Sequence, residues 1–220
     1  MKRKIIIFDV DGVLLDTMSI WANSANLYLL EVLGIDAPPE LDKKCSTMSL
    51  VEAGEYIKDL YPEIMLSPEE LAKGVAEFIR ERYWKAPGKP GLKKILWALC
   101  QKGFTLFLAT ASEKENVQGA LMNLGVWECF SDIFTCTEIG YSKNYAKYYE
   151  EVAKRIGVPC QELVMVEDSL HSMITAKKAG LTVAGIYEKF SAEKTAEIKE
   201  ICDVYVENLE ELEKWLQNQL

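Results

Sequence analysis

Residues 4–17 read Lys-Ile-Ile-Ile-Phe-Asp-Val-Asp-Gly-Val-Leu-Leu-Asp-Thr. An apolar, β-branched run stops at two carboxylates, Asp9 and Asp11, with Gly12 directly behind them. Ile5, Ile6 and Ile7 suit a strand buried on both faces, the strand type of parallel sheets. In open α/β sheets, ligands bind just beyond the carboxyl ends of the strands. Two acids one residue apart at such an end crowd like charge together, which costs free energy unless a cation or a proton transfer uses it. The stretch therefore predicts a parallel α/β core with a catalytic carboxylate pair after its first strand.

Past Asp16 the pattern turns helical. Ile20, Trp21, Leu27, Leu30 and Leu33 recur at helical spacing over 17–33, and Gly34 is placed to close that helix. A second helix is expected over 49–60 and a third over 68–84, begun by Ser67 with Pro68 in its first turn. No strand pattern precedes Pro87-Gly88-Lys89-Pro90-Gly91, a turn-rich hinge. Residues 16–87 are thus expected to form an all-helical insertion between 1–15 and 88–220, the two parts of the core.

The core resumes with a helix over 91–102 and a buried-strand pattern, Phe104–Ala109, ending in Thr110-Ala111-Ser112. A hydroxyl there, ahead of a helix, suits a phosphate oxygen; Ser112 reads as the N-cap of a helix over 113–124. A strand near Ile133–Thr137 leads to Gly140-Tyr-Ser-Lys143 and a helix over 145–156. By itself Lys143 reads as a solvated loop lysine. Leu163–Val166 is another short strand, and acids again follow it, in Glu167-Asp168-Ser169. A strand over 182–186, a helix over 191–201, a strand near 204–206 and a helix over 209–218 complete the chain.

Composition narrows the function classes. At 220 residues with 49% apolar content, the chain can hold one large core with an inserted module. A net charge of −9 argues against nucleic acid as a partner and would repel a phosphorylated ligand, so any phosphate site must be made locally. No run approaches the ~18–20 apolar residues of a membrane span, and Asp9 and Asp11 interrupt the first apolar run too early for a signal peptide. A cytoplasmic protein is expected. The six cysteines lack Cys-x-x-Cys spacing, and with the single His171 they offer few zinc ligands. Cys100, Cys129 and Cys136 read as buried thiols, and His171 as a surface or supporting residue.

Asp9-Val10-Asp11-Gly12-Val13, Thr110-Ala111-Ser112, Lys143 and Glu167-Asp168 stand in order, each after a strand. Together they resemble the four motifs of the haloacid dehalogenase superfamily, in its β-phosphoglucomutase and phosphoglycolate phosphatase-like branch, over essentially the whole chain. The resemblance implies a three-layer Rossmann-like α/β core with a mostly parallel sheet, and residues 16–87 as a helical cap. It implies Asp9 as the nucleophile that becomes an aspartyl-phosphate and Asp11 as general acid/base. Thr110, Ala111 and Lys143 would bind phosphate. Mg2+ would be held by Asp9, Asp11 through its carbonyl, Glu167 and Asp168. An acid at position 11 favours phosphoryl transfer over dehalogenation. The implied activity is a Mg2+-dependent phosphatase for a small phosphorylated metabolite such as phosphoglycolate or a sugar phosphate, in a monomer or homodimer.

Some positions depart from the family pattern. Asn144-Tyr145 follows Lys143 where a proline is usual, which leaves Lys147 as an alternative, and Ser172 replaces a usual glycine. A phosphomutase is the alternative activity. Its cap-loop arginine would align with Leu50 of Thr47-Met48-Ser49-Leu50, which argues against it. A non-catalytic phosphate-binding regulator would be expected to have lost a carboxylate, and none is missing.

Overall fold

The computed structural model describes residues 5–45, 48 and 50–218. The chain divides into two compact units. One takes the chain up to Asp16 and again from Ala86; the other is Thr17–Lys85. Inside the first unit, the segments on either side of the insertion pair with each other. Asp16 N–H donates to the Pro87 carbonyl (2.9 Å) and Lys89 N–H to the Leu14 carbonyl (2.8 Å), while Leu15 faces Gly88 in an antiparallel bridge. The Lys89 ammonium also pairs with the buried carboxylate of Glu188. The turn-rich stretch is therefore anchored where it re-enters the core.

Among its described residues the second unit holds five helices: α1 (Met18–Ala22), α2 (Ser24–Leu33), α3 (Glu40–Cys45), α4 (Leu50–Leu60) and α5 (Pro68–Trp84). Tyr28, Leu29, Leu41, Ile57, Leu71, Val75 and Ile79 form its core. The helix expected over 17–33 is broken at Asn23, whose side chain does not cap α2. Asp42 of α3 supplies the cap from outside: its Oδ1 accepts from the Ala25 N–H (2.9 Å) and the Asn26 N–H (3.3 Å). Gly34 closes α2 at φ 70°, a conformation that glycine adopts without a Cβ clash. Ser67 and Glu70 form a capping box at the start of α5, satisfying two backbone donors that the helix leaves open. Of the mutase-aligned loop, Thr47 and Ser49 lie outside the described residues; Leu50 is exposed.

The first unit is built on six parallel strands, β1 (Ile5–Phe8), β2 (Thr105–Thr110), β3 (Phe130–Thr135), β4 (Leu163–Glu167), β5 (Thr182–Ile186) and β6 (Val204–Val206), in the order β3-β2-β1-β4-β5-β6. β4 and β5 are buried at every residue, as strands covered on both faces must be. The covering helices are α6 (Leu92–Gln101), α7 (Lys114–Asn123), α8 (Cys136–Ile139), α9 (Ala146–Ile156), α10 (Leu170–Lys178), α11 (Thr195–Ile201) and α12 (Leu209–Asn218). α6 buries Leu92, Ile95, Leu96 and Leu99, the spacing of one helical face. β3 ends two residues earlier than expected because Thr135 caps α8, its Oγ1 accepting from the Glu138 N–H (3.1 Å). The expected 191–201 helix opens as a tighter 3-10 turn, Lys189–Lys194. Cys129 is buried, Cys100 and Cys136 are half-buried, and all six cysteines are free thiols. No helix among the described residues is long and apolar enough to cross a membrane.

Candidate active site

Strand register decides which residues meet. Phe8 of β1 lies level with Leu108 of β2 on one side and Val166 of β4 on the other. The chain segments that follow, carrying Asp9, Thr110 and Glu167, therefore leave the sheet side by side. Asp9 is still held by the ladder through its N–H to the Val166 carbonyl (2.9 Å). Beyond it the backbone turns back at once: the Leu14 and Leu15 N–H groups both donate to the Val10 carbonyl, and Gly12 N–H donates to the Leu15 carbonyl. That turn holds residue 12 at φ 80°, which is the physical reason for a glycine behind the two acids.

Lys143 reaches this point from the loop after α8. Its ammonium donates to Asp9 Oδ1 (2.6 Å) and Glu167 Oε2 (2.8 Å). The sequence alternative, Lys147, pairs instead with Glu150 and Glu151 on the exposed side of α9. The second oxygen of Glu167 accepts the backbone N–H groups of Asp168 (3.1 Å) and Ser169 (3.0 Å). Glu167 thus has N–H donors on both oxygens and fixes both the lysine and the loop that carries Asp168.

Carboxylate oxygens of Asp9, Glu167 and Asp168 lie within 4.8 Å of one another, and all three residues are buried. Three carboxylates against one ammonium leave two negative charges when all are ionised. Burial pushes the Asp9 carboxyl up to about 8, with the Glu167 charge adding to the effect and Lys143 opposing it. Burial likewise holds Asp168 well above the usual carboxylate range, helped by Glu167 and Asp9. Burial pulls Lys143 down, but Asp9 and Glu167 outweigh it, and the ammonium stays well above the ordinary lysine value. An all-oxygen, doubly negative, desolvated set suits a hard divalent cation, which displaces the protons that such crowding otherwise retains.

Asp11 is set apart. Its carboxylate is not part of the cluster; Oδ2 accepts a 2.6 Å hydrogen bond from the Ser112 hydroxyl. Ser112 is therefore not the side-chain cap of α7, whose N-cap residue is Glu113. This residue is the one that sequence reading put to the wrong use. The signal was its place two residues beyond Thr110, but it becomes readable only once β1 and β2 are known to be neighbours. Thr110 is fully buried, its Oγ1 accepting from the Ser112 N–H (3.0 Å), and Ala111 is exposed between them. His171 is exposed on α10.

The arrangement thus offers two carboxylates, Asp9 and Glu167, paired to one lysine inside a buried acidic cluster, and Asp11 held by a hydroxyl outside it. A family model described as haloacid dehalogenase-like hydrolase matches residues 6–186. The chain belongs to the haloacid dehalogenase-like hydrolases. Relatives of this hydrolase carry phosphatase names. YhcW of Bacillus subtilis (strain 168), named as a candidate phosphatase, is 28% identical over 81% of this chain and 80% of its own length. Hexitol phosphatase B of Escherichia coli (strain K12) is 28% identical over 79% and 78%. Among solved structures, a candidate β-phosphoglucomutase from Thermotoga maritima superposes with a TM-score of 0.83 at 23% identity, covering 99% of this chain and 100% of that one. At that identity the likeness concerns the fold. The fold they share is a six-stranded, all-parallel sheet flanked by helices.

Proposed function

We propose that this hydrolase is a Mg2+-dependent phosphatase that cleaves a small phosphorylated metabolite through an aspartyl-phosphate at Asp9. One observation carries the reading: Asp9 is paired to Lys143 within a buried carboxylate cluster, while Asp11 is held separately by Ser112. Two carboxylates in different surroundings can take different roles in one reaction.

An Asp9 oxygen attacks phosphorus, and the bond from phosphorus to the ester oxygen breaks. Asp11 gives the departing oxygen its proton, so the alcohol leaves neutral. Asp11 then takes a proton from water as the water oxygen attacks phosphorus. Inorganic phosphate is released and the Asp9 carboxylate is restored. Lys143 stabilises the negative charge spread over the transferring group, and Thr110 with the backbone at Ala111 receives phosphoryl oxygens. Asp9, Asp168 and the Asp11 carbonyl, with Glu167 in support, would hold Mg2+, which when bound would supply positive charge to keep Asp9 ionised and to balance the phosphoryl oxygens.

The name of the hexitol phosphatase relative makes phosphorylated sugars and polyols the first compounds to try, with phosphoglycolate beside them. Phosphate release from such a panel, with Mg2+ and with EDTA, tests the reading. The expected result is release that needs the metal and is absent in Asp9→Asn. Release unaffected by EDTA or by that substitution would overturn it. The mutase reading gains nothing from the exposed, apolar Leu50.

A further inference from the structure

A second polar feature lies wholly within the helical unit. Asp42 is 7% exposed, and capping α2 uses only its Oδ1. Oδ2 is buried and has no hydrogen-bond partner among the described residues. Asp42 lines a cavity of about 60 Å3, several times the ~10–15 Å3 that one water requires. Trp21, Ala53, Ile57, Leu71 and Val75 contribute to its walls.

The walls say what the cavity suits. They include no lysine, arginine or histidine among the described residues, so nothing in the lining balances the carboxylate. A buried carboxylate oxygen with no donor is costly. Burial accordingly raises the Asp42 carboxyl from its ordinary value, and the two backbone N–H bonds only oppose this. A cation would remove the cost directly, through a charge-assisted hydrogen bond to Oδ2. The indole of Trp21 also favours a cation over a neutral donor, and the aliphatic walls ask for a short hydrocarbon body. We propose that this cavity is a binding site for a small primary amine, its ammonium group on Asp42 Oδ2 and its carbon chain against Ala53, Ile57 and Val75. The site is built without any residue of the carboxylate cluster, so it stands or falls apart from the phosphatase reading.

Two substitutions separate this role from capping. Asp42→Asn keeps an acceptor for the Ala25 and Asn26 N–H groups, since asparagine caps as well as aspartate, but places an NH2 donor where the ligand must donate. Ala53→Leu fills the cavity and leaves the carboxylate untouched. The measurement is titration of the full chain with ethylammonium chloride, reading the methyl resonances of Ala53, Ile57 and Val75 by NMR, with ethanol and sodium chloride as controls. Saturable shifts are expected with ethylammonium alone; Asp42→Asn should weaken binding by about tenfold or more, the loss of one charge-assisted contact, and Ala53→Leu by at least as much, because its side chain takes the space of the ligand's carbon chain. Should Asp42→Asn fail to fold, Ala53→Leu carries the test. Absence of a saturable shift, equal binding of ethanol, or wild-type affinity in the folded variants would overturn the proposal.

Discussion

Ser112 donates a 2.6 Å hydrogen bond to Asp11, so in the proposed mechanism its hydroxyl orients the carboxylate that would face the departing oxygen. It is a positioning residue, and its removal should be milder than removal of the acid itself. Hydrogen bonds to charged groups contribute about 1.5–3 kcal/mol; Ser112→Ala should therefore lower kcat by about ten- to a hundred-fold with KM little changed. Asp11→Asn should lose more, ~10²–10⁴. Steady-state kinetics of both variants checks this, and a wild-type kcat for Ser112→Ala would remove the residue from the account. At this scale the sequence was only partly legible. Asp9, Asp11, Glu167 and Asp168 announce themselves as acids at the ends of apolar runs. Lys143 does not, because a loop lysine has no local pattern; its partners lie 134 and 24 residues away, and only the family resemblance pointed to it.

Gly54 shows how an element-level contact fixes the helical unit. A Cβ built there would meet the backbone carbonyl oxygen of Pro68 at the start of α5, a group that cannot swing aside. Gly54→Ala should therefore force α4 and α5 apart and destabilise the protein by about 1–3 kcal/mol, despite the better helix propensity of alanine. Denaturant unfolding measures it, and a stabilised variant would contradict the packing. Long, strongly patterned elements were the readable ones: α5 announces itself through Ser67 and Pro68, and β4 through an unbroken apolar run. What sequence hid was set by distant partners. The α1–α2 break at Asn23 depends on a cap from Asp42, and the six-residue α3 is too short to show a period. The early end of β3 turns on a single threonine hydroxyl that starts α8.

For the whole molecule, the carboxylate cluster links stability to pH and, on the proposed function, to Mg2+. Asp9 is raised from 3.8 to about 8 in the folded, metal-free protein, so between those values the native state binds more protons than the unfolded chain. Stability then falls as pH rises through that window. Asp168, also raised, acts in the same direction. In EDTA, Tm should decline from pH 5 to pH 8; with Mg2+ the decline should flatten, because the cation replaces the protons. Thermal unfolding across that range, with and without metal, is the check, and a Tm that climbs with pH in EDTA would contradict the cluster electrostatics.

The central claim is that Asp9 itself carries the phosphoryl group. An acyl phosphate is reduced by borohydride, so quenching the enzyme during turnover into borohydride and sequencing its peptides by mass spectrometry reads the site of attachment directly. The account predicts homoserine at position 9, dependent on substrate and Mg2+ and absent in Asp9→Asn. Unmodified Asp9 in an enzyme that is releasing phosphate, or homoserine at another aspartate, would contradict it.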